Sequence, residues 1–354
     1  MKVLFQIRSG YKDGPAGDSI QMLKTKMYLE KQGVDIVVSS RPDVNMKDFD
    51  LIHIFNCTRL PEAYSFYKNA IIQKKKIVIT PIFIDMHWYY RNSPARLAAW
   101  RAENIMRREM LQGCHMLLPN SQLELQWIKN ILFVDTPAKI IYHGVDPLFF
   151  AGDENWFYKK YGLKDFILCA GRLSPIKNQL SLIRAVKGMG IPIVLIGPVN
   201  NKAYALKCAE ESEGCVKYIP ELSQNELASA YRAALVHVQP SWFETAGLAS
   251  LEAAASGTPV VITSRGAAQE YFGNMAVYVE PDSLDSISNG VRAAMQKGGN
   301  LTELQSFIKE RFSWEKAAQD TLIAYREVVE GDYQPGEKGA FYSQTYNLPG
   351  VDKK

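Results

Sequence analysis

Two glutamates in FETAGLASLEAAASGTPVV, Glu244 and Glu252, stand eight residues apart with almost nothing but small side chains between them. The preceding LVHVQPSWFE reads as a strand ending in a loop, and GLASLEAAASG as a helix whose first turn is small enough for its backbone N–H groups to approach an anion. Eight helical residues rise roughly 12 Å, too far for two carboxylates to share a proton or flank one scissile bond. The pair therefore suits two parts of one long ligand. A nucleotide sugar has that length, with its diphosphate at the helix N-terminus, sugar hydroxyls near Glu244 and ribose hydroxyls near Glu252. A solvent-facing Glu252 is the alternative, although Leu251, Ala253, Ala254 and Ala255 make a poor solvated face.

A second cluster lies in CAGRLSPIKNQ, Cys169 to Gln179, where Arg172 and Lys177 follow a strand and lead into a helix. Arginine offers a planar fork to phosphate oxygens and lysine a mobile point charge, so the pair suits a diphosphate. Two surface cations beside a helix start are the alternative. The loop RSGYKDGPAGDSIQ carries glycines at 10, 14 and 17 before another helix, a layout that lets backbone N–H groups near a phosphate. Its spacing is neither GxGxxG nor GxxxxGK[ST], and taken alone it reads as a plain flexible loop before it reads as a phosphate site.

Short aliphatic runs alternate with helical patterns throughout, which predicts parallel βαβ units. The expected strands are KVLFQI, VDIVVS, LIHIFN, KIVITPIF, HMLLPN and KIIYHG, then FILCAGRL, PIVLIG, VKYIP, LVHVQPSW, PVVIT and AVYVEP. The fold class is α/β, with two Rossmann-like doubly wound domains facing across a cleft. Their expected limits are 1–150 for an acceptor-side domain and 151–330 for a donor domain, followed by a 331–354 tail that could pack back on the first. Ligands of such sheets sit at the carboxyl ends of the strands, which places one site in the cleft.

The chain of 354 residues has a formal net charge of +4. Residues 1–150 carry 20 lysines and arginines against 14 acidic residues, and the remainder 21 against 23. The basic half could meet an anionic substrate or make weak peripheral contact with a membrane; an ordinary solvated face explains it equally simply. The helix Ser93 to Gln112, with Arg96, Arg101, Arg107 and Arg108, is read as packed on one side. No run approaches the roughly 20 apolar residues of a membrane span, and MKVLFQIRSG is too short for a signal peptide, so a cytoplasmic location is expected. The five cysteines form no CxxC pair and no metal set, and no nucleic-acid partner is expected.

At these residues the chain resembles the retaining GT-B glycosyltransferases of the GT4 family. The family's E-x7-E element is similar to Glu244 to Glu252, its GRLxxxK element to Gly171 to Lys177, its NGVD turn to HGVD at 143–146, and a further frequent glutamate to Glu270. The resemblance implies transfer of a sugar from a nucleotide-diphosphate donor to a sugar, glycolipid or small-molecule acceptor, with retained anomeric configuration and neither metal nor other cofactor. Polysaccharide biosynthesis is the setting it suggests. In this reading Arg172 and Lys177 stabilise the departing diphosphate, Glu244 orients the donor sugar and Glu252 receives the ribose. The backbone at Ala246, Gly247 and Leu248 holds phosphate and sugar, Gly17 lies near the diphosphate, and His87 contacts the donor sugar unless it merely packs among Trp88, Tyr89 and Tyr90. Ala246 departs from a frequent aromatic residue and His143 from a common asparagine. The helix Ser313 to Glu330 resembles the family's C-terminal helix returning to the first domain. Asp48-Phe49-Asp50 spells the metal-binding DxD of GT-A transferases, but it precedes a strand rather than following one. A GT-B sugar-nucleotide epimerase and a non-catalytic nucleotide-sugar-binding protein are the alternatives.

Overall fold

The computed structural model describes residues 1–12, 16–297 and 301–331; Gly14 and the expected tail beyond 331 lie outside the described residues. Eleven strands are described: β1 (Lys2–Gln6), β2 (Asp35–Ser39), β3 (Leu51–Phe55), β4 (Ile77–Thr80), β5 (Met116–Leu117), β6 (Phe166–Ala170), β7 (Ile193–Ile196), β8 (Val216–Ile219), β9 (Ala234–Gln239), β10 (Val260–Thr263) and β11 (Val277–Val279). Between the strands of the first sheet run α1 (Gly17–Glu30), α2 (Leu60–Ile72) and α3 (Pro94–Gln112), with α4 (Gln122–Leu132) after β5. The second series holds α5 (Glu154–Tyr161), α6 (Gln179–Val186), α7 (Lys202–Glu211), α8 (Gln224–Ala233), α9 (Leu248–Ala255) and α10 (Ala268–Phe272). It closes with α11 (Leu284–Lys297), α12 (Leu301–Arg311) and α13 (Trp314–Glu330).

All pairings within the sheets are parallel. The first sheet has order β2-β1-β3-β4-β5, the second β11-β10-β9-β6-β7-β8. Each therefore reverses direction once, between β1 and β3 in the first and between β6 and β9 in the second. Such switch points open a crevice at the carboxyl ends of the strands. Strands β3, β4, β6 and β7 are buried along their whole length, as expected where helices cover both faces.

One expected strand is absent. KIIYHG makes only backbone bonds from Lys139 and Ile141 to Leu117 and Pro119, beside a two-residue β5 too short to propagate a ladder. The chain there turns into the connection between the sheets. Gly144 lets it pass the start of α13, because a Cβ at that position would fall 2.2 Å from the Trp314 nitrogen.

The expected return of the last helix is present. Trp314, Ala318 and Tyr325 of α13 are buried with Val3, Phe5 and Val78 in the core of the first sheet, and Leu322 packs at its margin. Buried Tyr325 bonds His53 Nδ1 at 2.5 Å, and Lys76 Nζ donates to the carbonyls of Val328, Val329 and Gly331. A cation on the last carbonyls of a helix offsets its unpaired acceptors. Helix α3 is buried on one side only, through Trp100, Arg107, Met110 and Leu111. Among the described residues no helix is long and apolar enough to cross a membrane.

Candidate active site

The second sheet supplies one side of the site. Gly171 leaves β6 at φ +149° with its α-carbon facing the Gln239 amide, and Arg172 follows. After a 3-10 turn over Pro175–Lys177, Asn178 adopts a left-handed conformation and donates to the carbonyls of Pro240 and Pro281. This sharp turn aims Lys177 back at the loop after β9, where its Nζ meets Glu244 Oε1 at 2.5 Å. Ser241 Oγ donates to the same oxygen at 2.6 Å and accepts from Gln239 Nε2 at 2.8 Å. Both bonds fall on Oε1; Oε2 of Glu244 has no hydrogen-bond partner among the described residues, which presents an acceptor to a hydroxyl.

Glu244 stands outside the helix. It forms an isolated parallel bridge with Gly266, accepting from Ala267 N and donating to the Arg265 carbonyl. The count of eight helical residues to Glu252 is corrected accordingly: only the stretch from Leu248 is helical, because Gly247 takes φ +71° and starts α9. The two carboxylates still occupy separate surroundings. Glu252 accepts from Tyr231 Oη at 3.0 Å and keeps a partly exposed face, yet burial of its carboxyl pushes it up to about 7. Tyr231 and Lys24 work against that rise, and Asp146 adds to it. Ala246 is fully buried in the core of the second sheet, filling the space of its small side chain with Val260 and Ile262 nearby in the same cluster.

The first sheet meets this arrangement across the crevice. Gly17 opens α1, and a Cβ there would lie 3.9 Å from Leu248 Cδ1 at the start of α9. Leu248 itself packs against the core of the first sheet. Two helix N-termini thus approach each other, and neither Ala16 nor Gly247 offers a side-chain cap to their N–H groups. Around them, Arg8 pairs with Asp18 at 3.1 Å and donates to Ser19 Oγ, while Asn56 donates to Asp18. Burial pushes Asp18 up, but the bonds from Asn56 and Arg8 outweigh it and hold the carboxyl below its ordinary value. The half-buried guanidinium of Arg172 sits in the field of Arg8, Arg59, Asp18 and Glu244; burial above all lowers its pKa, and it makes no hydrogen bond to a described residue. Four cations and two carboxylates therefore line the crevice, leaving an excess of positive charge where both helix N-termini point.

Arg172, Lys177, Glu244, Ala246, Gly247, Leu248 and Gly17 are brought together; Glu252 lines the recess behind them. The contacts of His87 are of a different kind. It bonds Asp85 through Nδ1 at 2.7 Å, receives a 3.4 Å contact from Arg101 and lies edge-on to Trp100, all within the first sheet's half. Its neighbour Trp88 carries Arg91 and Arg265 guanidiniums each 3.2 Å from its ring centre. Two groups that close to one ring must take opposite faces, so Trp88 offers no open platform to a sugar. His143 is buried with both ring nitrogens unpartnered, burial lowers it to about 4, and it packs near Tyr271 and Trp314, a structural place. Asp50 of the DxD spelling sits at the amino end of β3, bonded to the Lys2 N–H.

Sequence reasoning missed Arg8, Asp18, Asn56, Arg59, Ser241 and Lys24. Position directly after a strand was the available signal for Arg8, Asn56 and Ser241. Glu270 also has a defined place: from α10 it accepts from the backbone N–H groups of Gln122 and Leu123, capping α4 across the crevice. Ser241→Ala leaves the buried Gln239 amide without its acceptor and Glu244 with one tether, a loss of about 1–3 kcal/mol. A lower Tm together with reduced catalytic efficiency is the expected outcome; an unchanged pair of values would show that the tether is idle.

Parallel doubly wound sheets that share one site at the carboxyl ends of their strands define the GT-B class. A sucrose-phosphate synthase from Thermosynechococcus elongatus has this fold, with a TM-score of 0.78 and 16% identity over 93% of this chain and 99% of that one. So does the Anabaena protein HepE, solved in complex with UDP and glucose, with a TM-score of 0.73 and 18% identity over 92% and 99%. Residues 153–319 match the family described as glycosyl transferases group 1. A D-inositol 3-phosphate glycosyltransferase from Kribbella flavida is 30% identical over 264 residues, 67% of this chain and 60% of that protein. The first curated relatives are matched over 61%, 56% and 44% of their own length.

Proposed function

We propose that the chain transfers a sugar from a nucleotide-diphosphate donor to a sugar or glycolipid acceptor, with retained anomeric configuration and without a resident metal. The observation that carries the reading is the convergence of Arg172, Lys177 and two uncapped helix N-termini, at Gly17 and Leu248, on the crevice formed by both switch points. An anion that gains charge as its bond to the sugar breaks is stabilised there more than the intact donor is, which is the condition for catalysis. Glu244 Oε2 faces a sugar hydroxyl, and Glu252 the ribose. The binding of UDP and glucose by a protein of the same fold supports such a donor. The acceptor enters from the first sheet's side, whose basic surface suits an anionic or membrane-held partner.

A thermal-shift panel of UDP-, GDP-, ADP-, CMP- and dTDP-sugars, with and without EDTA, tests the donor assignment, since a ligand bound only by the folded chain raises its apparent stability. One donor is expected to raise Tm equally in both conditions. Glu252→Ala is expected to weaken that donor's binding about tenfold or more, the loss of a charged hydrogen-bond acceptor for ribose. No shift with any donor at millimolar concentration would refute the proposal, and protection without product formation would make the chain a binding protein.

A further inference from the structure

Lys24 of α1 belongs by sequence to the first sheet, yet its ammonium leaves that half. It pairs with Asp146 in the turn connecting the sheets, both side chains being 16% exposed, and it lies 3.5 Å from Gln224 Oε1 at the start of α8. The same α8 carries Tyr231, whose hydroxyl holds Glu252. Elements from both halves thus meet around Glu252, because residues 147–151, directly after Asp146, pack on both α8 and α9, the helix that carries Glu252. Nothing in the chemistry of phosphate or sugar binding requires a lysine there.

We propose that Lys24 is a positioning residue of the donor site: reaching across to Asp146 and Gln224, it closes the recess of Glu252 from the opposite half and so readies that carboxylate for the donor's ribose hydroxyls. The inference rests on the functional reading above. A carboxylate accepts from two hydroxyls, whereas a protonated carboxyl must spend one oxygen as a donor. Burial works against the charged form of Glu252, and Lys24 is one of two groups that favour it. The other is Tyr231 of α8. Asp146 opposes the charge, and its own pairing with Lys24 softens that opposition. Of its other neighbours, Arg232 of α8 is turned to the Ser256 carbonyl, and His237 of β9 is lowered by burial to about 3 and hence neutral. Helix α12 contributes Gln305, bonded to the Ala255 carbonyl, and β10 apolar side chains. Removing the lysine therefore strips Glu252 of a favourable charge and exposes it to an unpaired Asp146. Because the midpoint already lies at about 7, any further rise lowers the ionised fraction at pH 7, about fivefold for a tenfold gain in proton affinity.

The test compares wild type, Lys24→Met and Lys24→Arg by calorimetric titration of UDP, GDP and ADP from pH 5.5 to 9, beside a carbon-13 titration of glutamate carboxyls in the nucleotide-free proteins. For whichever nucleotide binds the wild type, Lys24→Met is expected to weaken binding about fivefold at pH 7 and progressively less above pH 8, with Lys24→Arg close to wild type. The Glu252 carboxyl should titrate at higher pH in Lys24→Met alone. Binding curves that keep their pH dependence, or a Glu252 midpoint that does not move, would overturn the role of Lys24, as a merely structural lysine would lower affinity evenly at all pH values. Failure of every nucleotide to bind wild type while the Glu252 midpoint still moves would instead strike the donor-site reading.

Discussion

Arg172→Ala is expected to lower turnover by about a hundred- to a thousandfold while changing donor affinity much less. The reason is the timing of the charge it meets. In the proposed reaction the intact donor already bears a diphosphate, which Lys177 and two helix N-termini would hold; the additional negative charge would arise only as the glycosidic bond breaks. Removing a preorganised donor aimed at developing charge typically costs about 3–4 kcal/mol in the transition state. Arg172 is available to that charge because its guanidinium has no hydrogen bond to a described residue and lies half-buried in the field of Arg8, Arg59, Asp18 and Glu244. Turnover and donor dissociation constants measured on the same folded variant decide the matter: equal losses in both would mean uniform binding rather than selective stabilisation of the transition state. Lys177→Ala should behave differently, since it also releases Glu244 from its tether, and both affinity and turnover are expected to fall.

The second large effect concerns a residue with no side chain. Gly266 adopts φ +105°, and a Cβ there would fall 2.0 Å from the Glu244 carbonyl oxygen and 2.9 Å from its backbone nitrogen. Gly266→Ala therefore adds a collision to about 1–3 kcal/mol of backbone strain. The bridge that holds Glu244 must open, so donor binding and stability should be lost together. Gly33→Ala is the control: Gly33 has φ +83° but nothing within 4 Å, so it carries strain without collision. If the two variants lose the same few degrees of Tm and both keep donor binding, the Glu244 bridge does not depend on Gly266.

How much of this was legible beforehand follows from the range over which each feature is built. The elements of the second sheet, with Arg172, Lys177, Glu244 and Glu252, were readable because each chemical group sits within a few residues of the strand end and helix start that aim it. The cation cluster of the first sheet was not. Arg8, Asn56 and Arg59 come from loops after β1 and β3, Asp18 from the first turn of α1, and they join only when those strands pair, so no local spacing betrays them. KIIYHG has the composition of a strand but finds only a two-residue neighbour, and composition alone could not reveal that. The loop at Glu244 and the helix from GLASLEAAASG were readable, but counting all eight residues between the glutamates as helical was not correct, because the left-handed Gly247 sets the start of α9 at Leu248. His87 lay in an aromatic stretch whose partners, Asp85, Arg101 and Trp100, are specified by the loop's path rather than by its pattern.

The return of α13 to the first sheet bears on how the protein is made. The strands of that sheet leave the ribosome early, but the helix that supplies Trp314, Ala318 and Tyr325 to its core follows about 200 residues later, roughly 10–40 s at ordinary elongation rates. During that interval the apolar face of the nascent sheet that includes Val3, Phe5 and Val78 has only α1, through Met22, Tyr28 and Leu29, for cover. Translation speed and chaperone access thus act on this half of the molecule in a way they do not on the second, whose strands and covering helices emerge together.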